Sequence, residues 1–376
     1  MAEVTFPSDW ETATLGEVCV SITDGTHFTP NYTTEGIPFY SVENLTANDF
    51  VNTKFISEAD HLEMNKRCKP EKGDILMTRI GSIGDTKLID WDVNASIYVS
   101  LALLKVNDVI SPAYLYAYSR SQQFVKEIES RSLLNAAPKK INMGEISAVI
   151  VHFPHDREEQ LAIAKALSDI DLLIEVTAQL LNKEERIFEA ALQSEFSEKS
   201  GATPTMLSEI CEVSKGAAVR YDKDFIRGSF GFLNGGINFS GLTENANDSG
   251  DTVVVSEGGN SCGFVNYIPQ PFWCGGHAYR LIGFKGSQKY LYYALKKSET
   301  AIMNLRVGSG LPNVQKKNLS EFKTPIHPEP GKQEEIRNFL DSLSGEIDTL
   351  KSELAKYEYI KQGMAHDLLT GKARLV

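Results

Sequence analysis

Two stretches of the chain, beginning at Gln160 and Gln333, carry the same pattern of apolar and polar positions. In both, apolar residues recur at spacings of three and four, which places them along one side of an α-helix, as in a coiled-coil seam. Neither stretch contains proline, so each can form a helix of roughly 37 residues. The identical pairs keep a constant offset of 173 positions: Gln160 and Gln333, Ile163 and Ile336, Leu167 and Leu340, Ile174 and Ile347, Leu181 and Leu354, and Ile187 and Ile360.

This duplication decides how the two stripes are interpreted. An ordinary amphipathic core helix would explain one stripe, but it would not explain why both keep the same spacing without a gap. We therefore predict that the two helices pack against each other along their apolar sides. The predicted seam consists of Ile163, Leu167, Ile170, Ile174, Leu181, Ile336, Leu340, Leu343, Ile347, Leu350 and Leu354.

A globular segment precedes each predicted helix, and both segments show the same order of elements. In the first, the buried run 75–78 and a strand near 97–106 lead to a helix over 111–130. In the second, the run 252–255 and later strands lead to a helix over 288–304. The sequence thus predicts an α/β (mixed α+β) chain with an internal pseudo-twofold repeat. Its parts are a globular domain at 1–155, a central long helix at 156–199, a second globular domain at 200–328 and a C-terminal long helix at 329–376.

The composition is that of a folded protein with an excess of acidic residues. The 376 residues are 42% apolar and carry a net charge of −12, which argues against a protein that coats nucleic acid without sequence preference. The charge is uneven, because residues 1–155 and 156–199 carry −7 and −6 whereas residues 200–330 carry +2. A DNA-binding function would therefore need small basic patches, or a partner that contacts the phosphates.

Targeting and cysteine patterns favour a cytoplasmic protein. The first ten residues show no basic segment followed by an apolar run, and no window of about 18 apolar residues exists, so we expect neither a secretory signal nor a membrane span. The five cysteines, at positions 19, 68, 211, 262 and 274, form no CxxC pair. We expect reduced, mostly buried thiols and no metal site.

Catalytic motifs are largely missing from the sequence. It has no GxxxxGK[ST] phosphate loop, no HExxH motif, and no Asn-Pro-Pro or Asp-Pro-Pro tetrad or glycine-rich S-adenosylmethionine loop. The only G-x-S-x-G match, Gly259–Gly263, is followed by a predicted strand, whereas a nucleophilic Ser261 would need a helix there. The carboxylates Glu158 and Glu159 begin the first long helix, where they favour the helix dipole. We therefore predict no catalytic residue.

The candidate binding residues lie in loops, above all in two basic loops at 131–142 and 306–317 that occupy matching places before the long helices. The patterns Arg-x₃-Asn-x₃-Lys-Lys over 131–140 and Arg-x₉-Lys-Lys over 306–317 pair Lys139 and Lys140 with Lys316 and Lys317. Arginine and lysine can hydrogen-bond guanine, asparagine and glutamine can hydrogen-bond adenine, and lysine also contacts phosphate. Any one of these side chains could equally be a solvated loop residue. The candidates are Thr26, His27, Arg131, Asn135, Lys139, Lys140, Asn142, Lys215, Arg220, Tyr221, Arg227, Arg306, Ser309, Asn313, Gln315, Lys316 and Lys317.

Several short motifs, four in the first globular segment, one at the start of each long helix and one at the end of the given sequence, resemble one protein family. They are Leu15-Gly-Glu-Val, Gly36-Ile-Pro-Phe-Tyr-Ser-Val, Lys72-Gly-Asp-Ile-Leu, Gly81-Ser-Ile-Gly, Arg157-Glu-Glu-Gln-Leu-Ala-Ile, Gly331-Lys-Gln-Glu-Glu-Ile and the ending Leu368-Leu-Thr-Gly-Lys-Ala-Arg-Leu. The resemblance extends over nearly the whole chain. The sequence is similar to the DNA-specificity (S) subunits of type I restriction–modification systems.

The resemblance implies a non-catalytic subunit with two target-recognition domains, each of which reads one half of a split, asymmetric sequence in double-stranded DNA. It also implies that the two long helices pack antiparallel as a coiled coil, separate the domains and set the length of the unread spacer. Two methyltransferase subunits would dock on the helices and domains, with restriction subunits outside them. S-adenosylmethionine, ATP and magnesium would belong to those partners, so we expect no cofactor in this chain and no membrane association.

Three alternatives stay open at this point. The first is a specificity subunit of a type IIB-like system, whose partner both cuts and methylates; the neighbouring gene would distinguish it. The second is a scaffold whose globular units bind proteins, for which charge reversal at the loop lysines would leave DNA binding unchanged. The third is a hydrolase that uses Ser261, and retained activity in Ser261→Ala would discard it.

Overall fold

The computed structural model describes residues 5–133, 135–218, 228–308, 310 and 312–375. The strands are β1 (Trp10–Thr14), β2 (Cys19–Asp24), β3 (Ile37–Tyr40), β4 (Lys54–Ile56), β5 (Ile75–Thr78), β6 (Thr86–Leu88), β7 (Ser96–Ile97), β8 (Leu101–Val106), β9 (Ile150–Pro154), β10 (Thr203–Met206), β11 (Glu212–Lys215), β12 (Phe230–Leu233), β13 (Gly241–Thr243), β14 (Thr252–Ser256), β15 (Val265–Ile268), β16 (Phe272–Cys274), β17 (Ala278–Ile282) and β18 (Lys323–Ile326). The helices are α1 (Leu15–Val18), α2 (Val42–Ala47), α3 (Glu58–Asn65), α4 (Pro112–Tyr118), α5 (Gln122–Arg131), α6 (Met143–Ser147), α7 (Arg157–Glu195), α8 (Leu207–Ile210), α9 (Gln288–Lys297), α10 (Glu299–Met303), α11 (Lys316–Ser320) and α12 (Pro330–Leu369).

The chain divides into two compact units. Unit 1 comprises Met1–Thr177 and Glu353–Val376, and unit 2 comprises Ala178–Ser352. Unit 1 contains a four-stranded antiparallel sheet in the order β2-β8-β5-β6, a three-stranded sheet in the order β4-β3-β7 and the antiparallel pair β1-β9. Within the three-stranded sheet, β3 and β7 run parallel.

Unit 2 repeats this topology strand for strand. Its sheets have the orders β11-β17-β14-β15 and β13-β12-β16, with β12 and β16 parallel, and its two-stranded pair is β10-β18. The central strands β5 and β14 are buried along their whole length, as the continuous apolar runs in the sequence predict. The internal repeat is therefore confirmed at the level of strand order and direction.

Two of the predicted elements are interrupted in the structure. The helix expected over 111–130 is two helices, α4 and α5, because Ser121 accepts a hydrogen bond from the Phe124 backbone and so caps a new helix. The helix expected over 288–304 likewise divides at Ser298 into α9 and α10. The prediction of a single strand over 97–106 is also wrong, because the chain leaves one sheet after β7 and joins the other at β8.

The long helices α7 and α12 have 39 and 40 residues. In unit 2, Lys351 pairs with Glu185 at 3.0 Å and Lys332 with Glu195 at 3.9 Å, so α12 residue numbers fall as α7 residue numbers rise. The helices are therefore antiparallel in this unit. In unit 1 the end of α12 also lies beside the first half of α7, where Lys361 pairs with Asp171 at 2.6 Å. The predicted packing of two long helices is thus confirmed.

The predicted seam residues face the interior. Ile163, Leu167 and Ile170 are buried in unit 1, and Ile336 and Leu340 are buried in the core of unit 2. The remaining seam positions are buried or partly buried, namely Ile174, Leu181, Leu343, Ile347, Leu350 and Leu354.

Gln160 and Gln333, the first residues of the two duplicated stretches, make equivalent hydrogen bonds. The Gln160 side chain donates to the Pro154 carbonyl at 2.9 Å, and the Gln333 side chain donates to the His327 carbonyl at 2.7 Å. In each case the acceptor lies six residues before the glutamine. Each glutamine therefore fixes the link between the last strand of its unit and the long helix that follows.

Candidate nucleic-acid interface

The first basic loop, 131–142, is held against the turn that follows β5. Its residues Leu133 and Lys140 form a bridge with each other, and Lys140 also bridges Ile80. The Gly81 backbone donates to the Lys139 carbonyl at 2.9 Å. This narrow hairpin leaves the side chains of Lys139 and Lys140 exposed, as a DNA-contacting loop requires.

The second basic loop, 306–317, has the same geometry in unit 2. Val307 and Asn313 bridge each other, and Asn313 also bridges Gly258. The Gly259 backbone donates to the Pro312 carbonyl at 3.1 Å. The two loops therefore occupy equivalent places on equivalent sheets.

The structure corrects the pairing of residues between these loops. Lys140 and Asn313 make equivalent bridges, so they are counterparts. Asn142 and Gln315 are counterparts too, since they are the N-terminal flanking residues of α6 and α11. Lys316 and Lys317 are the first two residues of α11. The sequence pattern paired them with Lys139 and Lys140, and the structure shows that this pairing is wrong.

The other candidates differ in whether their side chains are exposed or already bonded within the fold. Arg131 is the last residue of α5 rather than a loop residue, and ion pairs with Glu127 and Glu145 raise its pKa. Thr26 is buried, and its backbone N–H donates to the Ile97 carbonyl at 3.0 Å, so it belongs to the fold. The exposed candidates are His27, Asn135, Lys139, Lys140, Asn142, Lys215, Arg306, Asn313, Gln315, Lys316 and Lys317. Arg220, Tyr221, Arg227 and Ser309 lie outside the described residues.

A buried carboxylate organises charged side chains beside the first loop. Asp24, 4% exposed, accepts hydrogen bonds from Arg67 and from Arg79, the latter at 3.0 Å. The exposed ring of His27 lies 2.9 Å from the same carboxylate. Arg67 and Arg79 were not among the sequence candidates, although Arg79 directly precedes the turn that holds the loop.

A comparable cluster lies beside the second loop. Glu257 pairs with Lys215 at 2.6 Å and accepts a hydrogen bond from the Tyr279 hydroxyl at 2.8 Å. Burial, reinforced by Glu257, raises the pKa of Tyr279. The exposed His277 ring lies 3.9 Å from Glu257. Glu257 and His277 were also missed, because the sequence shows no link between their segments.

Ser261 and two of the buried cysteines lack the surroundings of a nucleophile. Ser261 donates to the Gly235 carbonyl at 2.7 Å, and the strand β15 follows it, so the turn lacks the helix of a nucleophile elbow. Burial raises the pKa of Cys19 and Cys274 to about 12, which keeps these thiols protonated and unreactive. Among residues 5–375, as far as they are described, no cluster of three potential metal ligands occurs. The described helices include none that could span a membrane.

Known proteins of one family are similar to this chain in sequence and in fold. The family model for the type I restriction modification DNA specificity domain matches residues 7–186 and again residues 200–359. A putative type I specificity subunit of Mycoplasma genitalium is 26% identical over 171 residues, which are 45% of this chain and 44% of that protein. The match therefore spans less than half of that relative's length.

Two further relatives match along nearly the whole chain. A putative type I restriction enzyme specificity subunit of Methanocaldococcus jannaschii is 24% identical over 98% of this chain and 95% of that protein. The crystal structure of a type I restriction-modification S subunit from M. genitalium superposes with a TM-score of 0.73, at 20% identity, over 98% of both chains. This chain belongs to the family of type I restriction-modification DNA-specificity proteins, and it carries two copies of the specificity domain. This membership confirms the family that the sequence motifs indicated.

Proposed function

We propose that each unit reads one half of a split sequence in double-stranded DNA and that the two halves differ. The observation that carries this proposal is the pair of equivalent loops with unlike side chains. Lys140 stands where unit 2 has Asn313, and Asn142 stands where it has Gln315. Lysine and asparagine hydrogen-bond different base edges, so equivalent loops with these residues would prefer different bases.

The family resemblance supports a further part of this proposal, namely that α7 and α12 set the length of the unread spacer. Two half-site contacts made by one chain reinforce each other, because the second contact becomes intramolecular once the first has formed. Each unit could then bind its half weakly while the whole chain binds the split site tightly.

We also propose that two methyltransferase subunits and, outside them, restriction subunits assemble on this chain in the cytoplasm. S-adenosylmethionine, ATP and magnesium would act in those partners. In unit 1, α7 exposes the apolar side chains of Leu172, Leu173 and Val176, and exposed apolar patches mark interaction surfaces. Leu172 also lines a cleft of about 550 Å³ with Tyr116 and Arg120. Because the seam residues point inward, this exposed surface suits partner docking better than the seam.

The proposed DNA contact is tested by reversing the charge of the first loop. We expect the double variant Lys139→Glu/Lys140→Glu, assembled with its methyltransferase, to bind cognate duplex DNA about 10 to 100 times more weakly than the unchanged chain, with a shallower salt dependence. Fluorescence anisotropy titrations at several salt concentrations would measure both quantities.

A matched control is available at the opposite end of β5. Lys69 and Lys72 are exposed and lie before the strand, whereas the loop lies after it. We expect Lys69→Glu/Lys72→Glu to bind DNA as the unchanged chain does. Equal affinity of both double variants would contradict the proposal and favour the scaffold alternative.

A further inference from the structure

Each unit contains one ion pair that joins the end of a sheet strand to the residue after the central strand. In unit 1, Asp24 ends β2 and Arg79 directly follows β5; both are less than 10% exposed. In unit 2, Lys215 ends β11 and Glu257 directly follows β14. The acid and the base have therefore exchanged places between the two units.

The strand registers show that these positions are equivalent. Asp24 and Met77 both lie opposite Ala102, while Lys215 and Val255 both lie opposite Tyr279. Asp24 thus corresponds to Lys215. Arg79 and Glu257 each come two residues after the paired central-strand residue.

The backbone bonds of Arg79 and Glu257 give the same correspondence and connect the ion pairs to the loops. The Arg79 carbonyl accepts from the Ile141 N–H at 2.9 Å, and the Glu257 carbonyl accepts from the Val314 N–H at 2.7 Å. Ile141 and Val314 stand next to the bridging residues Lys140 and Asn313. Arg79 and Glu257 therefore each add a backbone bond to the contacts by which the turn after the central strand holds the basic loop.

The exchange of acid and base shows what this position requires. Asp24, Arg79 and Glu257 are buried or partly buried, and such a charge is strongly unfavourable without an opposite partner, so the two residues of each pair must be complementary. The order of the charges is free, because the same strand topology accepts both orders. The ion pair keeps its opposite charges in both units although its residues differ. Such a pair is suited to holding a loop whose own residues also differ between the units.

We propose that Asp24–Arg79 and Lys215–Glu257 are positioning pairs that fix the two basic loops on the sheets and thereby determine how sharply each unit discriminates between bases. This inference rests on the proposed DNA-reading function, and it adds residues that determine how well each unit discriminates between bases. Lys215, which the sequence indicated as a DNA contact, acts here through Glu257. One buried polar atom of each pair, Arg79 Nε and Glu257 Oε2, has no hydrogen-bond partner in the described structure. Each pair is therefore held by fewer bonds than it can make.

Unit 2 offers the clearer test, because Asp24 accepts hydrogen bonds from two further side chains, Arg67 and His27, whereas Glu257 accepts one further bond, from the Tyr279 hydroxyl. The variants Glu257→Gln and Glu257→Arg remove or reverse one charge, and Lys215→Asp/Glu257→Arg restores a pair in the order of unit 1. Each variant, assembled with its methyltransferase, is titrated with cognate duplex DNA and with duplexes that carry one base change in either half. We expect both single variants to lose about 10-fold in discrimination at one half and none at the other, and the double variant to recover to within about 3-fold.

Asp341→Lys is the matched control for a loss of stability alone. Asp341 pairs with Lys289 at 2.9 Å and accepts from the Tyr293 hydroxyl, at a site on α12 and α9 and not on the loop. We expect this variant to melt earlier and to keep its discrimination at both halves. If Glu257→Gln and the double variant both discriminate as the unchanged chain does, or if the double variant recovers nothing, the inference is wrong. A wild-type complex without base preference would instead overturn the proposed function itself.

Discussion

Replacing Leu340 with aspartate will destabilise unit 2 by about 3 to 5 kcal/mol. Leu340 is fully buried in the core of this unit, in the same cluster as Leu192, Phe196 and Ile336. The substitution removes apolar contacts between α12 and the end of α7, and it places a charge in the apolar core of unit 2. Urea unfolding followed by circular dichroism would measure the loss, and co-purification with the methyltransferase would show whether assembly fails as well.

Ser342→Asp provides the control for this prediction. Ser342 is exposed two residues further along α12, so the same charge on the same helix stays in water and we expect a change below about 0.5 kcal/mol. If Leu340→Asp unfolded at the same urea concentration as Ser342→Asp, the long helices would not form a packed seam.

Replacing Arg374 with alanine will destabilise unit 1 by about 2 to 3 kcal/mol, a value lowered because Arg374 is itself partly exposed. Glu159 at the start of α7 is fully buried, and its Oε2 accepts from Arg374 Nη2 at 2.6 Å. Arg374 also pairs with Asp9 at 3.0 Å, and the two carboxylates raise its pKa. Without the guanidinium, a buried carboxylate loses its partner. Thermal melting of the chain would measure the effect.

The neighbouring Lys372 is the natural comparison for Arg374. Lys372 is exposed and pairs only with the partly exposed Asp367 among the described ion pairs, so Lys372→Ala should change the melting temperature by less than about 1 °C. Equal melting of the two alanine variants would mean that the pair with Glu159 adds nothing to stability.

The long helices and the repeat were predictable because their signals are local and periodic. Spacings of three and four along α7 and α12, together with a constant offset between copies, are visible without any knowledge of contacts. The buried strands β5 and β14 were predictable for the same reason. The breaks at Ser121 and Ser298 were not, because serine occurs inside many helices and only the packing of α4 and α5, or of α9 and α10, decides that a new helix begins there.

The candidate interface was predictable only in outline. Two basic loops before the long helices were found, but their residues were paired wrongly, because the correspondence depends on hairpin bridges such as those of Lys140 and Asn313. The positioning pairs were missed since Arg79 and Glu257 carry opposite charges and share no sequence likeness. Glu159 was interpreted as a helix-dipole residue, whereas its partner Arg374 lies 215 residues away in the sequence.

Methylation mapping tests the central claim most directly. The chain is expressed with its neighbouring methyltransferase in a host that lacks such systems, and the host DNA is sequenced for modified adenine. We expect one split motif with a fixed gap, and exchange of residues 200–328 for those of a relative should change one half of the motif only. A folded complex with an active methyltransferase that leaves no such motif would contradict the account and favour a scaffold function.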